Sequence, residues 1–187
     1  EEAIREDTEA MLDLARAILA EPTAGRPEKL FDGPSASDLA FRDWPAPDVT
    51  ETGPEAFEET GVAEMIDRLQ SPREGLPGGG FFFVEPTRAL VAVDVNTGSD
   101  TSPAASLKAN IETLRALPRA LRLRGLGGQI VVDLAPLSKR DRKQIESVAR
   151  AAFRADPIET TLVDWTPLGH LELVRKRERL PLRELLE

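Results

Sequence analysis

Arg88-Ala-Leu-Val-Ala-Val-Asp-Val-Asn-Thr-Gly98 is the stretch on which the fold turns. Leu90, Val91, Ala92, Val93 and Val95 form a short apolar run rich in β-branched residues, the pattern of a buried strand. Asp94 and Asn96 break that run near its end. Side chains two apart in a strand share a face. One carboxylate and one amide therefore project side by side where the strand gives way to Thr97-Gly98. A carboxylate at the end of a buried strand is costly unless something pairs with it. A divalent metal, an arginine or a helix N-terminus would each serve.

The pattern recurs downstream. Gly127-Gly-Gln-Ile-Val-Val-Asp133 is a glycine pair, an apolar run and a closing carboxylate. A helix-sized segment separates the two runs, which have the same polarity. That is the order of a strand–helix–strand crossover, which brings both strand ends to one edge of a sheet. Asp94 and Asp133 are then expected to converge, with Asn96 beside them, as a hard oxygen site suited to Mg²⁺ or Mn²⁺. The fold class expected is α/β, a mixed sheet flanked by helices.

The 187 residues suit one domain with an appendage, and the apolar fraction of 41% supports a core. The chain begins at Glu1 rather than methionine, as a fragment or processed product would. Without cysteine there is neither a disulfide nor a thiolate zinc site. No apolar run reaches the length of a membrane span and no secretory signal is visible, so the expected compartment is the cytoplasm. The net charge of -9 argues against nucleic acid binding over the whole surface. Its distribution is uneven. Residues 43–67 carry Asp43, Asp48, Glu51, Glu55, Glu58, Glu59, Glu64 and Asp67 with no lysine or arginine. Arg115, Arg119, Arg122, Arg124, Lys139, Arg140, Arg142 and Lys143 cluster in the half that holds the two aspartates.

In chain order, residues 2–20 read as an amphipathic helix ended by Pro22, and 21–56 as an irregular Pro/Gly-rich arm with isolated Phe31, Phe41 and Trp44. One helix is expected over 54–69. Gly75–Gly80 reads as a turn; it lacks the lysine and hydroxyl of a phosphate-binding loop. Phe81–Val84 pairs with 89–96 as a hairpin, turning at Glu85-Pro-Thr-Arg88. The helix over 105–124 is expected to kink or break at Pro118. Ser138 is expected to cap a helix over 139–154, followed by a strand over 158–163. Thr166-Pro167 signals a helix through Lys176, although the alternation of Leu171 and Leu173 also suits a strand. Residues 180–187 read as a terminal helix. His170, the lone histidine, reads as a surface or capping residue rather than a base.

Laid out together, Leu76-Pro-Gly-Gly-Gly80, Val93-Asp-Val-Asn-Thr-Gly98, Asn110-Ile-Glu112, Leu121-Arg-Leu-Arg-Gly-Leu-Gly-Gly128, Ile130-Val-Val-Asp133 and the Leu-Glu-Leu-x-Arg-x-Arg ending at Arg177 resemble the DNase I-like catalytic region of the ribonuclease E/G family. Their order and spacing carry the resemblance from about Gly61 to Arg177, within a catalytic domain expected over residues 61–187. Residues 1–60 form a helix plus an acidic arm that matches loosely. The resemblance implies a Mg²⁺-dependent endoribonuclease acting on single-stranded RNA and leaving 5′-phosphate ends. It places the metal on Asp94 and Asp133 and gives Asn96 the task of steadying one of them. Arg122, Arg124, Lys139, Arg140, Arg142, Lys143, Arg175 and Arg177 are the residues expected to neutralise RNA phosphates.

The departures are specific. Pro136 stands where family members usually carry a second aspartate. The family's cysteine–zinc link between subunits cannot form, so any oligomer needs another contact. The family's oligonucleotide-binding barrel, 5′-end sensor and preceding RNase H-like portion are expected to be absent or much reduced in these residues. A catalytically weak or inactive RNA-binding or interaction module that keeps the fold is the alternative reading.

Overall fold

The computed structural model describes residues 2–20, 27, 29, 30 and 32–187. Pro22 and Phe31 lie outside the described residues. The chain divides into two compact units, Glu1–Thr52 and Gly53–Glu187. The first holds α1 (Glu2–Ala20) and α2 (Ala36–Asp43). The second helix is a regular element within the arm expected to be largely irregular. Ser35 caps it: its hydroxyl accepts from the Asp38 amide while Asp38 accepts from the Ser35 amide. This reciprocal cap satisfies two donors that a helix start leaves open. Hydrogen bonds from Ser35 hold the Asp38 carboxyl below the usual carboxylate range.

The second unit opens with α3 (Ala56–Glu59) and α4 (Val62–Gln70), two short helices where one was expected. Gly61 separates them with φ +71°, a left-handed conformation that ends the first helix. There follow β1 (Arg73–Gly75), β2 (Phe81–Pro86), β3 (Val91–Asn96), α5 (Pro103–Leu123), β4 (Gly128–Asp133), α6 (Arg142–Arg154), β5 (Thr160–Trp165), β6 (Leu171–Arg175) and α7 (Leu182–Leu186). The six strands form one mixed sheet in the order β1-β2-β3-β4-β6-β5. β3 and β4 are parallel, joined by the α5 crossover; the other neighbours are antiparallel.

Period-two alternation separates the faces. Phe82, Val84, Val91, Val93, Val95, Ile130, Val132, Leu171 and Leu173 are buried, in one core with Leu114, Leu117 and Leu121 of α5 and Ile145, Ala149 and Phe153 of α6. The opposite face carries Phe81, Phe83, Asp94, Asn96, Gln129, Asp133 and Val174, which are exposed or half-exposed. Among the described residues, no helix is long and apolar enough to cross a membrane.

Four local expectations are corrected. Helix α5 runs through the buried Pro118 as one element, so the proline does not cut it. An internal proline costs about 3 kcal/mol. Burying Leu114, Leu117 and Leu121 on either side of it contributes about 1.5–3 kcal/mol each, enough to hold the helix together. The β2–β3 turn lies later than expected: Pro86 still pairs with Val91, and Thr87 closes the turn by donating its amide to the Leu90 carbonyl at 2.8 Å. Ser138 does not cap α6; its hydroxyl donates to Asp141 in a turn, and the helix begins at Arg142. The segment after Thr166-Pro167 is strand β6, because a turn closed by Gly169 intervenes, its amide donating to the Thr166 carbonyl.

Candidate active site

The parallel pairing sets Asp94 opposite Asp133 in register, at the carboxyl ends of β3 and β4. Both lie in phase with the open face and both are exposed. Neighbouring strands run about 4.8 Å apart, so two carboxylates sit side by side with no arginine between them. Asn96, two residues beyond Asp94, donates Nδ2 to Asp94 Oδ2 at 2.8 Å. On the far side His170 places Nδ1 3.1 Å from Asp133 Oδ1. Among the described residues, Asp94 Oδ1 and Asp133 Oδ2 take no hydrogen bond, leaving each carboxylate one oxygen free.

The loops at this edge are fastened to α5. Asn110 is fully buried and grips the chain just after Asp133: its Nδ2 donates to the Ala135 carbonyl at 3.0 Å, and the Ala135 amide donates to its Oδ1 at 2.9 Å. Two residues further along α5, Glu112 accepts from the Gly78 amide at 3.0 Å. Asn110-Ile-Glu112 thus ties down both the loop leaving β4 and the glycine loop entering β2. That glycine loop is more than a turn. It packs on the segment after Asn96 so closely that a Cβ at Gly80 would fall 2.6 Å from the Asn96 carbonyl oxygen, and one at Gly98 2.9 Å from the Gly79 carbonyl oxygen. Gly98 also has φ +78°, where a side chain is strained. Gly80→Ala should therefore push Asn96 out of place. We expect a loss of about 1–3 kcal/mol of stability in a thermal melt, and a fall in any RNA cleavage larger than that stability loss explains.

His170 is held as well. The Thr166 hydroxyl accepts its amide at 3.0 Å, and the Arg142 guanidinium lies 4.6 Å from the Trp165 ring centre, beside Gly169. Reading His170 as a bland surface group missed its position across from Asp133. Only the β4–β6 register reveals it, since Val132 pairs with Leu171.

Of the expected RNA-contacting cations, Arg142 lies over the Trp165 ring and the other seven split into two groups. Lys139, Arg140 and Lys143 are exposed on the loop and first turn after β4, at the Asp133 end. Arg122, Arg124, Arg175 and Arg177 belong to the opposite end of the sheet: Arg175 pairs with Gly128, five residues from Asp133, a span of about 17 Å. Two of these are structural, which corrects their assignment to RNA. Arg175 is 1% exposed and donates to Asp156 and Thr160 at 2.9 Å each. Arg124 is 6% exposed and donates to Glu74 and the Ser71 carbonyl at 2.8 Å each, fastening β1 to the end of α5. Arg122 is half-exposed and pairs with the same buried Asp156.

The donor set fits a small hard cation. Mg²⁺ is commonly held by one or two carboxylates, with water and substrate phosphate completing its shell. Among the described residues, no group of three or more His, Cys, Asp or Glu side chains is placed to hold a metal, so a cation here would rest on two carboxylates alone.

A mixed α/β sheet with paired acids at the carboxyl ends of adjacent parallel strands defines the class. Comparison with known proteins narrows it. The Ribonuclease E/G family profile matches residues 48–178. Over 129 residues the chain is 41% identical to ribonuclease E of Nostoc sp., covering 66% of this chain and 19% of that protein. It is 32% identical over 139 residues to ribonuclease G of Salmonella typhimurium, covering 70% of this chain and 28% of that protein. The chain therefore belongs to the ribonuclease E/G family, and spans between about a fifth and just over a quarter of the length of these relatives.

Proposed function

We propose that this chain carries the catalytic edge of a Mg²⁺-dependent endoribonuclease that hydrolyses single-stranded RNA to 5′-phosphate ends. The observation that supports this most is the register of Asp94 with Asp133 on the open face, each with a free oxygen. The names of the relatives support the substrate class.

Asp94 and Asp133 would hold the cation. Asn96 steadies the Asp94 carboxylate through one oxygen and leaves the other free, and His170 does the same for Asp133. When bound, Mg²⁺ supplies polarisation of the scissile phosphate and acidification of a water for in-line attack. Lys139, Arg140 and Lys143 offset the RNA phosphates arriving at this edge, a sequence-blind and salt-dependent contribution. No side-chain nucleophile is required.

The test is cleavage of a 5′-labelled single-stranded RNA with Mg²⁺ and with excess EDTA. The expected result is Mg²⁺-dependent cuts whose downstream products carry 5′-monophosphates. Pro136, exposed in the loop directly after the site, motivates the second reading. Retention of RNA on the protein without Mg²⁺-dependent cleavage would favour the RNA-binding module and refute the nuclease.

A further inference from the structure

Three consecutive phenylalanines make up the start of β2, and only the middle one serves the core. Phe82 is fully buried, whereas Phe81 and Phe83 point to the open face and are half-exposed. Two large rings left partly open to water on this face give up part of their folding benefit. The rings are ordered against each other, centroids 5.6 Å apart at 83°, edge to face. The Arg73 guanidinium lies 4.2 Å over the Phe81 ring. Among the described residues Arg73 has no carboxylate partner, so its charge is uncommitted.

The register places this cluster at the candidate active site. Phe83 is paired with Asp94 and Phe81 with Asn96, while Arg73 is paired with Phe83 from the outer side. Across one row of the sheet run a cation, an aromatic ring, a carboxylate and a second carboxylate. A ligand matching that row has a flat apolar part joined to an anionic part that reaches a metal. A nucleotide strand has that form: a base presents its π-face to the ring, and the phosphates on either side of that base reach the guanidinium and the pair of acids.

We propose that Phe81, Phe83 and Arg73 form a stacking platform for one base of single-stranded RNA, next to the bond that is cut. This rests on the nuclease reading and deepens it. The platform selects for unpaired RNA, since a base must leave its partner to lie on a ring, while tolerating any base identity because every base has a π-face. Arg73 adds stacking area of its own and fixes the neighbouring phosphate.

The experiment uses the full chain and a ten-nucleotide single-stranded RNA carrying one 2-aminopurine, titrated in Ca²⁺ so that binding is read without turnover. Stacking quenches 2-aminopurine fluorescence. The wild-type chain is expected to quench it. Phe81→Ala with Phe83→Ala should abolish the quench and weaken binding by about tenfold or more. Phe83→Trp, which keeps a flat ring, should retain both; Phe83→Leu, which keeps apolar bulk without a π-face, should not. Circular dichroism of each variant reports the fold, which these open-face changes should leave intact. Absence of quenching by the wild type, or equal quenching by the Ala pair, overturns the platform, as does Leu performing as well as Trp. The nuclease reading fails separately: quenching that depends on Phe81 and Phe83, without Mg²⁺-dependent cleavage, keeps the platform and removes the nuclease.

Discussion

Asp94→Asn, and separately Asp133→Asn, should each lower RNA cleavage at fixed Mg²⁺ by about a hundredfold or more. Asparagine keeps the shape of the side chain and one acceptor oxygen, so the loss isolates the negative charge. Stabilisation by a metal ion at a phosphoryl centre is worth several kcal/mol, and about 2.7 kcal/mol corresponds to a factor of one hundred. With both oxygens on one cation, as proposed, the effects should not multiply: the double variant should cleave about as slowly as the worse single. Raising Mg²⁺ should recover part of the single-variant loss. Asn96→Ala should cost less, since it acts only through its 2.8 Å bond to Asp94. The measurement is an initial-rate assay across a Mg²⁺ series. Equal residual cleavage by wild type and both variants would identify the activity as foreign to this chain.

The second large effect lies at the opposite end of the sheet and concerns stability alone. The Asp156 side chain is 1% exposed and accepts from Arg175, from Arg122 and from the Ile158 amide. Asp156→Ala strands the Arg175 guanidinium in the core without its counter-charge. Breaking a buried pair in this way costs about 3–5 kcal/mol, a large share of the roughly 5–15 kcal/mol that holds a domain folded. Urea unfolding should show a midpoint far below the wild type. Asp156→Ala combined with Arg175→Met removes both charges and should recover much of the loss. A drop below about 1 kcal/mol in the single variant would mean that Arg175 is solvated, and its assignment as a structural residue would fall.

Arg175 also shows what the sequence held and what it did not. Leu171, Leu173 and Arg175 are in phase along β6, so the alternation that marks the leucines as core marks the arginine too. Assigning Arg175 to RNA phosphates overrode that signal. Its partner Asp156 lies 19 residues earlier, and no local pattern joins them. The acid pair was legible for the opposite reason. Each aspartate closes an apolar run, and the crossover grammar fixes which ends meet. The register that makes them direct neighbours, and that brings His170 and Phe83 into the same row, is a long-range pairing that only the folded sheet supplies. Boundary signals misled where side chains served turns instead of helices: Ser138 bonds to Asp141, and Thr166 to His170.

The central claim, that Asp94 and Asp133 share one divalent cation, is tested most directly by anomalous diffraction from a crystal soaked in Mn²⁺. The account predicts one strong peak on the open face at the carboxyl ends of β3 and β4, about 2.1 Å from an oxygen of each aspartate. A peak touching only one of them, or none between them at saturating Mn²⁺, would contradict it.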